Sequence, residues 1–342
     1  LKNNLIIQHR RYMNNPWQSE PLLVTGAAGF IGSRLTETLV QQGAQVRAFV
    51  RYTSLGELGL LKYLPSAILS EIELVFGDLR DAEAIEQAAK RADLIYHLGA
   101  LISIPYSYLH PVEVVQTNIL GTLNVLQACR KFDCRLIHTS SSEVYGTALQ
   151  VPIDETHPLQ GQSPYSASKI GADKLVESYY RSFGVRAVTI RPFNTYGPGQ
   201  SARAVIPTII TQALTKQTVY LGNLDALRDF TYVDDTVDAF IKAGKTDGID
   251  GETFNLGSGS EISIRDLAAL IFDLIGTTPE VEVDDERIRP ALSEVQRLLA
   301  DNCKARQVLA WSPQVDLREG LSRTIQWIRE HLDFYHIGHY ER

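Results

Sequence analysis

Short apolar runs alternate with amphipathic stretches along the chain from Pro21 onward. The apolar runs predict strands at 22–25, 45–50, 72–76, 93–98, 135–140 and 187–191. The stretches between them have helical periodicity and predict helices at 31–42, 81–91, 112–132 and 164–183. Strands that read as continuous apolar runs are covered on both faces. The pattern therefore predicts an α/β fold, with a doubly wound parallel sheet.

The pattern becomes irregular after Pro192, which predicts a smaller C-terminal lobe interleaved with the sheet domain. Further helices are predicted at 205–215, 261–275, 301–309 and 317–332, and one more follows 228–235. Strands are predicted at 218–221 and 254–256. The strand at 254–256 is expected to return to the main sheet. We assign 21–192 to the sheet domain, with 229–257 returning to it, and 193–228 and 258–334 to the smaller lobe. Residues 1–20 are expected to lie outside the fold.

Composition narrows the class of protein. Lys and Arg total 33 against 40 for Asp and Glu in 342 residues, and a net charge of −7 argues against nucleic-acid binding by a general basic surface. No apolar run reaches the roughly 18 residues that a membrane span needs. Three cysteines are too few for a disulfide scaffold, so a reducing cytoplasm is expected.

The sequence GAAGFIG (26–32) follows the first predicted strand and opens the first helix. Its first glycine allows a tight turn, its second lets the backbone approach a pyrophosphate, and its third brings helix and strand together. The helix N-terminus then offers amides and a partial positive charge to phosphates. The motif predicts a dinucleotide site that includes Gly26, Gly29, Phe30, Ile31 and Gly32.

The end of the second strand leaves the choice between NAD and NADP open. An NAD site normally carries an acid there for the ribose 2′-hydroxyl, whereas this chain has Arg51 followed by Tyr-Thr-Ser. Arg51 is suited to a 2′-phosphate, or else stacks on adenine or points to solvent. Asp78 and Leu79, after the third strand, are placed to contact the adenine.

The sequence YSASK (165–169) places Tyr165 and Lys169 on one face of a predicted helix. Tyrosine titrates near pH 10, and a lysine ammonium beside it favours the phenolate that can accept a proton from a sugar hydroxyl. Upstream, Ser141, Ser142 and Glu143 crowd the carboxyl end of a predicted parallel strand, where open α/β sheets place their ligands.

These motifs, together with RPFNTYGP (191–198) and RDFTYVDD (228–235), make the chain resemble the extended short-chain dehydrogenases/reductases that act on nucleotide sugars. The resemblance covers residues 21–332 and implies a Rossmann domain that binds NAD(P) and a lobe that binds a nucleotide diphosphate sugar. It implies that Ser141 bonds the reacting hydroxyl, that Asn194 and Arg203 contact the substrate, and that Arg228 and Arg297 hold its diphosphate. It also implies a homodimer formed through the helices at 112–132 and 164–183.

Glu143 and the residue before it help to distinguish which reaction of the family this chain catalyses. Dehydratases of the family carry Asp then Glu at this place, whereas this chain has Ser142-Glu143, which also resembles the UDP-glucuronate decarboxylases. A serine hydroxyl is too weak to be the acid unaided. The segments 139–174 and 191–212 resemble NAD-dependent 4,6-dehydratases of the legionaminic acid type, which implies UDP-N-acetylglucosamine as substrate and NAD rather than NADP.

The alternatives are decarboxylation of UDP-glucuronate, then 4-epimerisation, and a non-catalytic regulator that binds NAD(P) or a nucleotide sugar. Tyr165, Lys169 and Glu143 together argue against the regulator, since binding alone needs none of them. No metal is expected, because His331, His336 and His339 have no acidic or cysteine partner at metal-ligand spacing.

Overall fold

The computed structural model describes Trp17 and residues 21–335. Seven parallel strands form the central sheet in the order β11-β6-β5-β4-β1-β2-β3, which confirms the doubly wound fold. Its strands are β1 (Leu22–Thr25), β2 (Val46–Arg51), β3 (Ile72–Gly77), β4 (Leu94–His97), β5 (Arg135–Thr139), β6 (Ala187–Pro192) and β11 (Thr253–Leu256). β11 pairs in parallel with β6, as the apolar run at 254–256 predicts.

Helices cover both faces of this sheet. Alternate residues of β1 point to opposite faces, so Leu22 and Val24 join one hydrophobic core and Leu23 joins the other. The helices of the sheet domain are α1 (Phe30–Gln41), α2 (Ser66–Leu69), α3 (Ala82–Ala89), α4 (Ile104–Leu109), α5 (Pro111–Val115), α6 (Gly121–Phe132), α7 (Pro164–Phe183) and α9 (Val233–Lys245). α9 packs on α1, while α3, α6 and α7 pack side by side.

The predicted helix at 112–132 consists of two α-helical segments with a π-helical turn between them. A π-helical turn, Gln116–Leu120, joins α5 to α6 without a break. Short 3₁₀ helices at Gly59–Tyr63, Ser142–Tyr145, Asp285–Arg287 and Leu332–Phe334 were not predicted, since single turns have no period to detect.

The C-terminal part contains small sheets, of whose strands the sequence pattern predicted only the one at 218–221. The strands are β7 (Asn194–Tyr196), β8 (Thr218–Leu221), β9 (Leu227–Arg228), β10 (Phe230–Tyr232), β12 (Ile262–Ser263), β13 (Glu280–Val283) and β14 (Arg297–Leu298). They pair as β7-β10, β8-β13 and β12-β9-β14. The helices are α8 (Val205–Thr215), α10 (Ile264–Ile275), α11 (Cys303–Val308) and α12 (Leu317–Glu330).

α10 begins three residues later than the predicted start at 261. Ser263 caps it by accepting a hydrogen bond from the Asp266 amide at 3.0 Å. Residues 262–263 pair instead with β9.

The expectation that residues 1–20 lie outside the fold is wrong at Trp17. Its side chain is 7% exposed and belongs to the main hydrophobic core. The Lys245 ammonium lies 4.5 Å from its ring centroid, a cation–π contact. The other residues of 1–20 lie outside the described part of the chain.

Across residues 21–335, no helix combines the length and apolar character that crossing a membrane requires.

Candidate active site

A cavity of about 860 Å³ opens along the carboxyl ends of the sheet strands. Most of the predicted site residues line it: Gly26, Gly29, Phe30, Ile31, Gly32, Arg51, Asp78, Leu79, Ser141, Glu143, Tyr165, Asn194 and Arg203. Four of the predicted residues do not line it: Ser142, Lys169, Arg228 and Arg297. The fold thus joins the glycine motif, the tyrosine and the serine–glutamate turn in one place.

The glycine motif forms a bare backbone cradle at one end of the cavity. Gly26 has φ +70°, and a Cβ there would lie 2.7 Å from the Gly99 backbone nitrogen. A Cβ on Gly32 would lie 2.1 Å from the Gly26 carbonyl oxygen. The N-cap of α1, Gly29, provides no side chain to cap the first turn. The close backbone packing, which only glycine allows, and the helix N-terminus without a side-chain cap fit a dinucleotide pyrophosphate, as the motif predicts.

Tyr165 lies in the first turn of α7, whose start is set by a capping box. Ser163 accepts a hydrogen bond from the Ser166 amide at 3.0 Å, and the Ser166 hydroxyl accepts from the Ser163 amide at 2.9 Å. Burial raises the pKa of Tyr165 to about 12, and its hydrogen bond with Ser141 opposes this rise. The phenol is therefore protonated at neutral pH unless positive charge is brought beside it.

Lys169 lies one turn after Tyr165, beneath the cavity surface. Its ammonium donates a hydrogen bond to the Thr139 carbonyl oxygen at 2.5 Å. Burial lowers the pKa of Lys169 to about 8, and the negative charge of Asp173 opposes this effect. Lys169 is thus held by the backbone of Thr139, which lines the cavity, and its charge acts on the buried His97 and His138.

Asp173 is the next residue on this face of α7, and sequence reasoning missed it. It accepts hydrogen bonds from the Ser140 hydroxyl at 2.8 Å, from Arg191 Nη2 at 3.0 Å and from His138 Nε2 at 3.1 Å. Burial alone would raise the pKa of Asp173, but the His138 hydrogen bond and the Arg191 charge lower it overall. The helical spacing could have identified Asp173, since residues 165, 169 and 173 follow at intervals of four and therefore share one face of the helix.

Glu143 reaches the cavity from a 3₁₀ turn that Ser141 caps. The Glu143 amide donates to the Ser141 hydroxyl at 3.2 Å. Its neighbour Ser142 is buried and does not line the cavity. Glu143 Oε1 lies 3.6 Å from Nη1 of Arg289, a residue that sequence reasoning also missed.

Arg228 and Arg297 do not line the cavity, although Arg228 lies close enough for the charges of Glu143 and Arg289 to act on it. Arg228 is buried and donates to the backbone carbonyl of Leu227 at 2.9 Å. Arg297 is engaged by Glu261, with its Nε 2.8 Å from Oε2. Arg297 belongs to β14, which lies in the same small sheet as β12. Glu261 directly precedes β12, and Arg297 pairs with it instead of lining the cavity.

Arg289 is an arginine of the cavity wall that the sequence analysis did not single out. It lines the cavity from the loop between the 3₁₀ helix Asp285–Arg287 and β14. Burial lowers its pKa, but the negative charges of Glu143 and Glu294, together with the Glu143 hydrogen bond, raise the pKa overall. In the sequence, Arg287, Arg289 and Arg297 lie in one irregular segment. Without helical or strand periodicity, the sequence does not indicate which of these arginines faces the cavity.

Asn194, on β7, lines the cavity and donates its side-chain amide to the Asp229 carbonyl oxygen at 3.1 Å. No group of three or more His, Cys, Asp or Glu side chains in the described residues is arranged to hold a metal ion. His336 and His339 lie outside those residues.

A parallel sheet with a glycine cradle, and a tyrosine–lysine pair on the helix beside its β5 strand, define the extended short-chain dehydrogenase/reductase class. The chain belongs to the family described as GDP-mannose 4,6 dehydratase, whose model matches residues 23–324.

Relatives in this family carry out different reactions. The chain is 36% identical to a UDP-glucose 4-epimerase of Mycolicibacterium smegmatis, over 90% of this chain and 98% of that protein. It is 34% identical to a dTDP-glucose 4,6-dehydratase of Streptomyces antibioticus, over 90% of this chain and 92% of that protein. Among solved structures, DesIV is a dTDP-glucose 4,6-dehydratase of Streptomyces venezuelae with NAD and TYD bound. It superposes on this chain with a TM-score of 0.82 at 29% identity, and the match covers 92% of this chain and 99% of DesIV.

Proposed function

We propose that this chain is a nucleotide-sugar 4,6-dehydratase that converts a nucleotide-linked hexose, UDP-N-acetylglucosamine by the sequence resemblance, to its 4-keto-6-deoxy sugar. The observation that carries the proposal is Glu143, which lines the same cavity as Tyr165 and Ser141. An epimerase needs the tyrosine but removes no proton from C5. A carboxylate at this place therefore favours elimination.

The glycine cradle is suited to a nicotinamide dinucleotide, and the relative solved with NAD supports one. When bound, this cofactor accepts the C4 hydride and later returns it to C6. Tyr165 takes the proton of the 4-hydroxyl, and Ser141 holds that hydroxyl in place. The positive charge of Lys169 favours the phenolate that Tyr165 needs for this step.

Glu143 acts after the 4-ketone has formed, because the ketone acidifies the hydrogen at C5. Glu143 takes that proton and delivers it to the C6 hydroxyl, which leaves as water. The double bond between C5 and C6 then receives the hydride at C6 and a proton at C5. The proton given to C5 balances the one taken from the 4-hydroxyl, and the hydride given to C6 balances the one taken from C4, so the reaction is redox-neutral overall. Since Ser142 does not line the cavity, we assign both proton transfers to Glu143.

Arg289 and Arg203 are the arginines that we expect to meet the substrate diphosphate. Both line the cavity, whereas Arg228 and Arg297 do not. A guanidinium binds phosphate oxygens in a fork, and the local positive charge offsets the acidic surface of the molecule.

Decarboxylation of UDP-glucuronate is the second candidate, and Arg289 is the observation that favours it. Its guanidinium lies beside Glu143, where it is also suited to hold a sugar carboxylate at C6. In that reaction the 4-ketone releases carbon dioxide, and Glu143 has a lesser role.

One experiment separates these candidates. The protein is incubated with UDP-N-acetylglucosamine and, separately, with UDP-glucuronate, and the products are identified by mass spectrometry. We expect loss of one water from the first substrate and base-sensitive absorbance of a 4-keto sugar. Release of carbon dioxide from the second substrate alone would replace dehydration with decarboxylation. A product isomeric with the substrate would identify an epimerase.

We also propose a cytoplasmic homodimer. Three free cysteines support a reducing compartment, and exposed apolar side chains on α5 and in the π-helical turn that follows it support a subunit interface.

A further inference from the structure

A buried ion pair connects α7 to β6 next to the active-site cavity. Asp173 Oδ2 lies 3.0 Å from Nη2 and 3.2 Å from Nε of Arg191, and the two side chains are 5% and 7% exposed. Neither residue lines the active-site cavity. Desolvation of two buried charges offsets much of their attraction, so such a pair adds little net stability. What it contributes is a fixed geometry between the elements that it joins.

Ser140 connects this ion pair to the end of β5. Its hydroxyl donates to the carboxylate of the pair at 2.8 Å, and in the chain it lies between Thr139 and Ser141. The Thr139 carbonyl oxygen accepts a hydrogen bond from the Lys169 ammonium at 2.5 Å. Ser141 hydrogen-bonds with Tyr165. The carboxylate that fixes Ser140 therefore also fixes the segment that contacts both members of the tyrosine–lysine pair.

The arginine of the pair connects to the turn that carries Glu143. Arg191 Nη1 donates to the Tyr145 hydroxyl at 2.9 Å, and its guanidinium lies 5.1 Å from the Tyr145 ring centroid. Tyr145 is the last residue of the 3₁₀ helix Ser142–Tyr145. Its hydroxyl donates in turn to Asn255 Oδ1, on β11, at 2.7 Å. One phenol thus holds the 3₁₀ helix to both β6 and β11.

A second cavity borders the same ion pair. Its volume is about 430 Å³, and residues of α7, β6, β11 and the loop at 155–159 line it. Asp173 and Arg191 belong to the wall of this second cavity, whereas Ser140 belongs to the wall of the active-site cavity. The pair therefore connects to the reacting groups from outside the space that the substrate occupies.

We propose that Asp173 and Arg191 are positioning residues, which hold the tyrosine–lysine pair of α7 and the 3₁₀ turn of Glu143 in one arrangement for proton transfer. The carboxylate acts through Ser140, and the guanidinium acts through Tyr145. The inference rests on the proposed function only in taking the tyrosine and the glutamate as the groups that transfer protons. Because proton transfer requires precise placement of these groups, loosening the ion pair lowers kcat without weakening substrate binding.

Asp173→Asn removes the charge and keeps the shape of the side chain. With UDP-N-acetylglucosamine as substrate, kcat should fall at least about 100-fold while KM changes less than about twofold, because Asp173 does not line the active-site cavity. Asp273→Asn is the matched control, since this exposed aspartate pairs with Arg318 and lines neither cavity. It should retain the wild-type kcat. A folded Asp173→Asn protein with the wild-type kcat would overturn the proposal.

Chemical rescue separates positioning from a merely structural role. Asp173→Ala leaves a space beside Arg191 that is continuous with the second cavity, so formate can replace the missing carboxylate. Sodium formate should raise kcat of this variant at least about tenfold, through charge-assisted hydrogen bonds to the guanidinium, whereas sodium chloride at the same concentration should not. Failure of formate to restore activity to a folded Asp173→Ala protein would contradict the positioning role.

Tyr145→Phe tests the second arm of the network and decides the matter if the Asp173 variants do not fold. It removes only the hydroxyl between Arg191 and Asn255, so the volume of the core is kept. We expect oxidation at C4 to keep its wild-type rate and elimination to slow at least about fivefold, the loss of about one hydrogen bond. Reduced nicotinamide should then accumulate transiently in a single turnover. Unchanged elimination in this variant would show that the arginine does not position the turn.

The positioning role and the dehydratase proposal can fail separately. Oxidation at C4 is common to dehydration, decarboxylation and epimerisation, so its rate in Asp173→Asn tests the ion pair whichever product forms. Single turnovers are therefore followed with UDP-N-acetylglucosamine and, in parallel, with UDP-glucuronate. A slowed oxidation together with a decarboxylated or epimerised product would support the positioning role and overturn the dehydratase. A wild-type rate of oxidation together with a 4-keto-6-deoxy product would do the reverse.

Discussion

Glu143 owes its place in the cavity to the two serines beside it. Ser141 accepts the Glu143 amide and begins the 3₁₀ turn, and Ser142 is buried beneath it. Arg228 and Arg289 both experience the negative charge of Glu143 from the opposite side. A carboxylate held between a capped turn and two cations is oriented for one proton transfer path.

Glu143→Gln should separate oxidation from elimination. Because the amide cannot take the C5 proton, we expect dehydration to fall at least about 100-fold, while oxidation at C4 still occurs. The checks are mass spectrometry of the product and absorbance of the reduced nicotinamide in a single turnover. Glu86→Gln, on the surface beside Lys131, is the matched control and should retain full activity. Wild-type turnover in Glu143→Gln would remove Glu143 from the mechanism.

Lys169 is a buried cation, and its pKa predicts how stability changes with pH. In the unfolded chain a lysine titrates near 10.4, whereas burial lowers the pKa of Lys169 to about 8 in the folded protein. Between these values the unfolded chain binds more protons, so this residue makes stability rise with pH. Below pH 8 both states are protonated and the cost of burying the charge is constant.

Comparison with Lys169→Met isolates this contribution. From pH 7 to pH 10, the free energy of unfolding of the wild type should increase relative to the variant, by up to about 3 kcal/mol. Urea unfolding of both proteins at several pH values measures the difference. Parallel pH profiles would show that Lys169 titrates as it does in the unfolded chain.

At the scale of elements, α7 sets the geometry of the site. Pro164 and the Ser163–Ser166 capping box determine where the helix starts, and the start determines which residues face β5. Tyr165, Lys169 and Asp173 then follow one another along a single face. An error of one residue at the cap would rotate this face by about 100°.

Ser163→Ala tests the cap. It removes the acceptor for the Ser166 amide and should lower the free energy of unfolding by about 1 kcal/mol. Denaturant unfolding measures the loss, and Ser322→Ala, on the exposed side of α12, is a control that should change stability little. An unchanged midpoint for Ser163→Ala would mean that Pro164 alone is sufficient to start the helix.

At the scale of the whole molecule, exposed apolar residues cluster on α5 and its neighbours. Val112 is 67% exposed, and Leu109, Val115 and Leu120 lie near it in the chain with much of their surface uncovered. A monomer would leave this apolar surface in water, whereas a second copy would cover it.

Val112→Glu should therefore weaken the proposed dimer, because a charge would be buried at the interface. Light scattering coupled to gel filtration should give the mass of a dimer for the wild type and a shift toward the monomer for the variant. Leu149→Glu alters a residue that is 71% exposed elsewhere and should leave the mass unchanged. A wild-type monomer would contradict the proposal.

The sequence alone was sufficient for the central sheet, because its determinants are local. A run such as Leu22–Thr25 is apolar throughout since both faces are covered, and GAAGFIG follows it where the backbone must come close to Gly99. The spacing of Tyr165 and Lys169 follows from helical geometry, which any stretch of helix imposes. These features can be recognised before the chain is folded.

The tertiary structure decided which charged residues meet in the cavity. Arg289 and Arg297 lie eight residues apart in one irregular segment, and only the pairing of β14 with β9 sends Arg297 to Glu261 and leaves Arg289 beside Glu143. In the same way, Trp17 is buried by contacts with distant parts of the chain. Local periodicity carries no information about such contacts, because the partner of a long charged side chain depends on elements brought together only by folding.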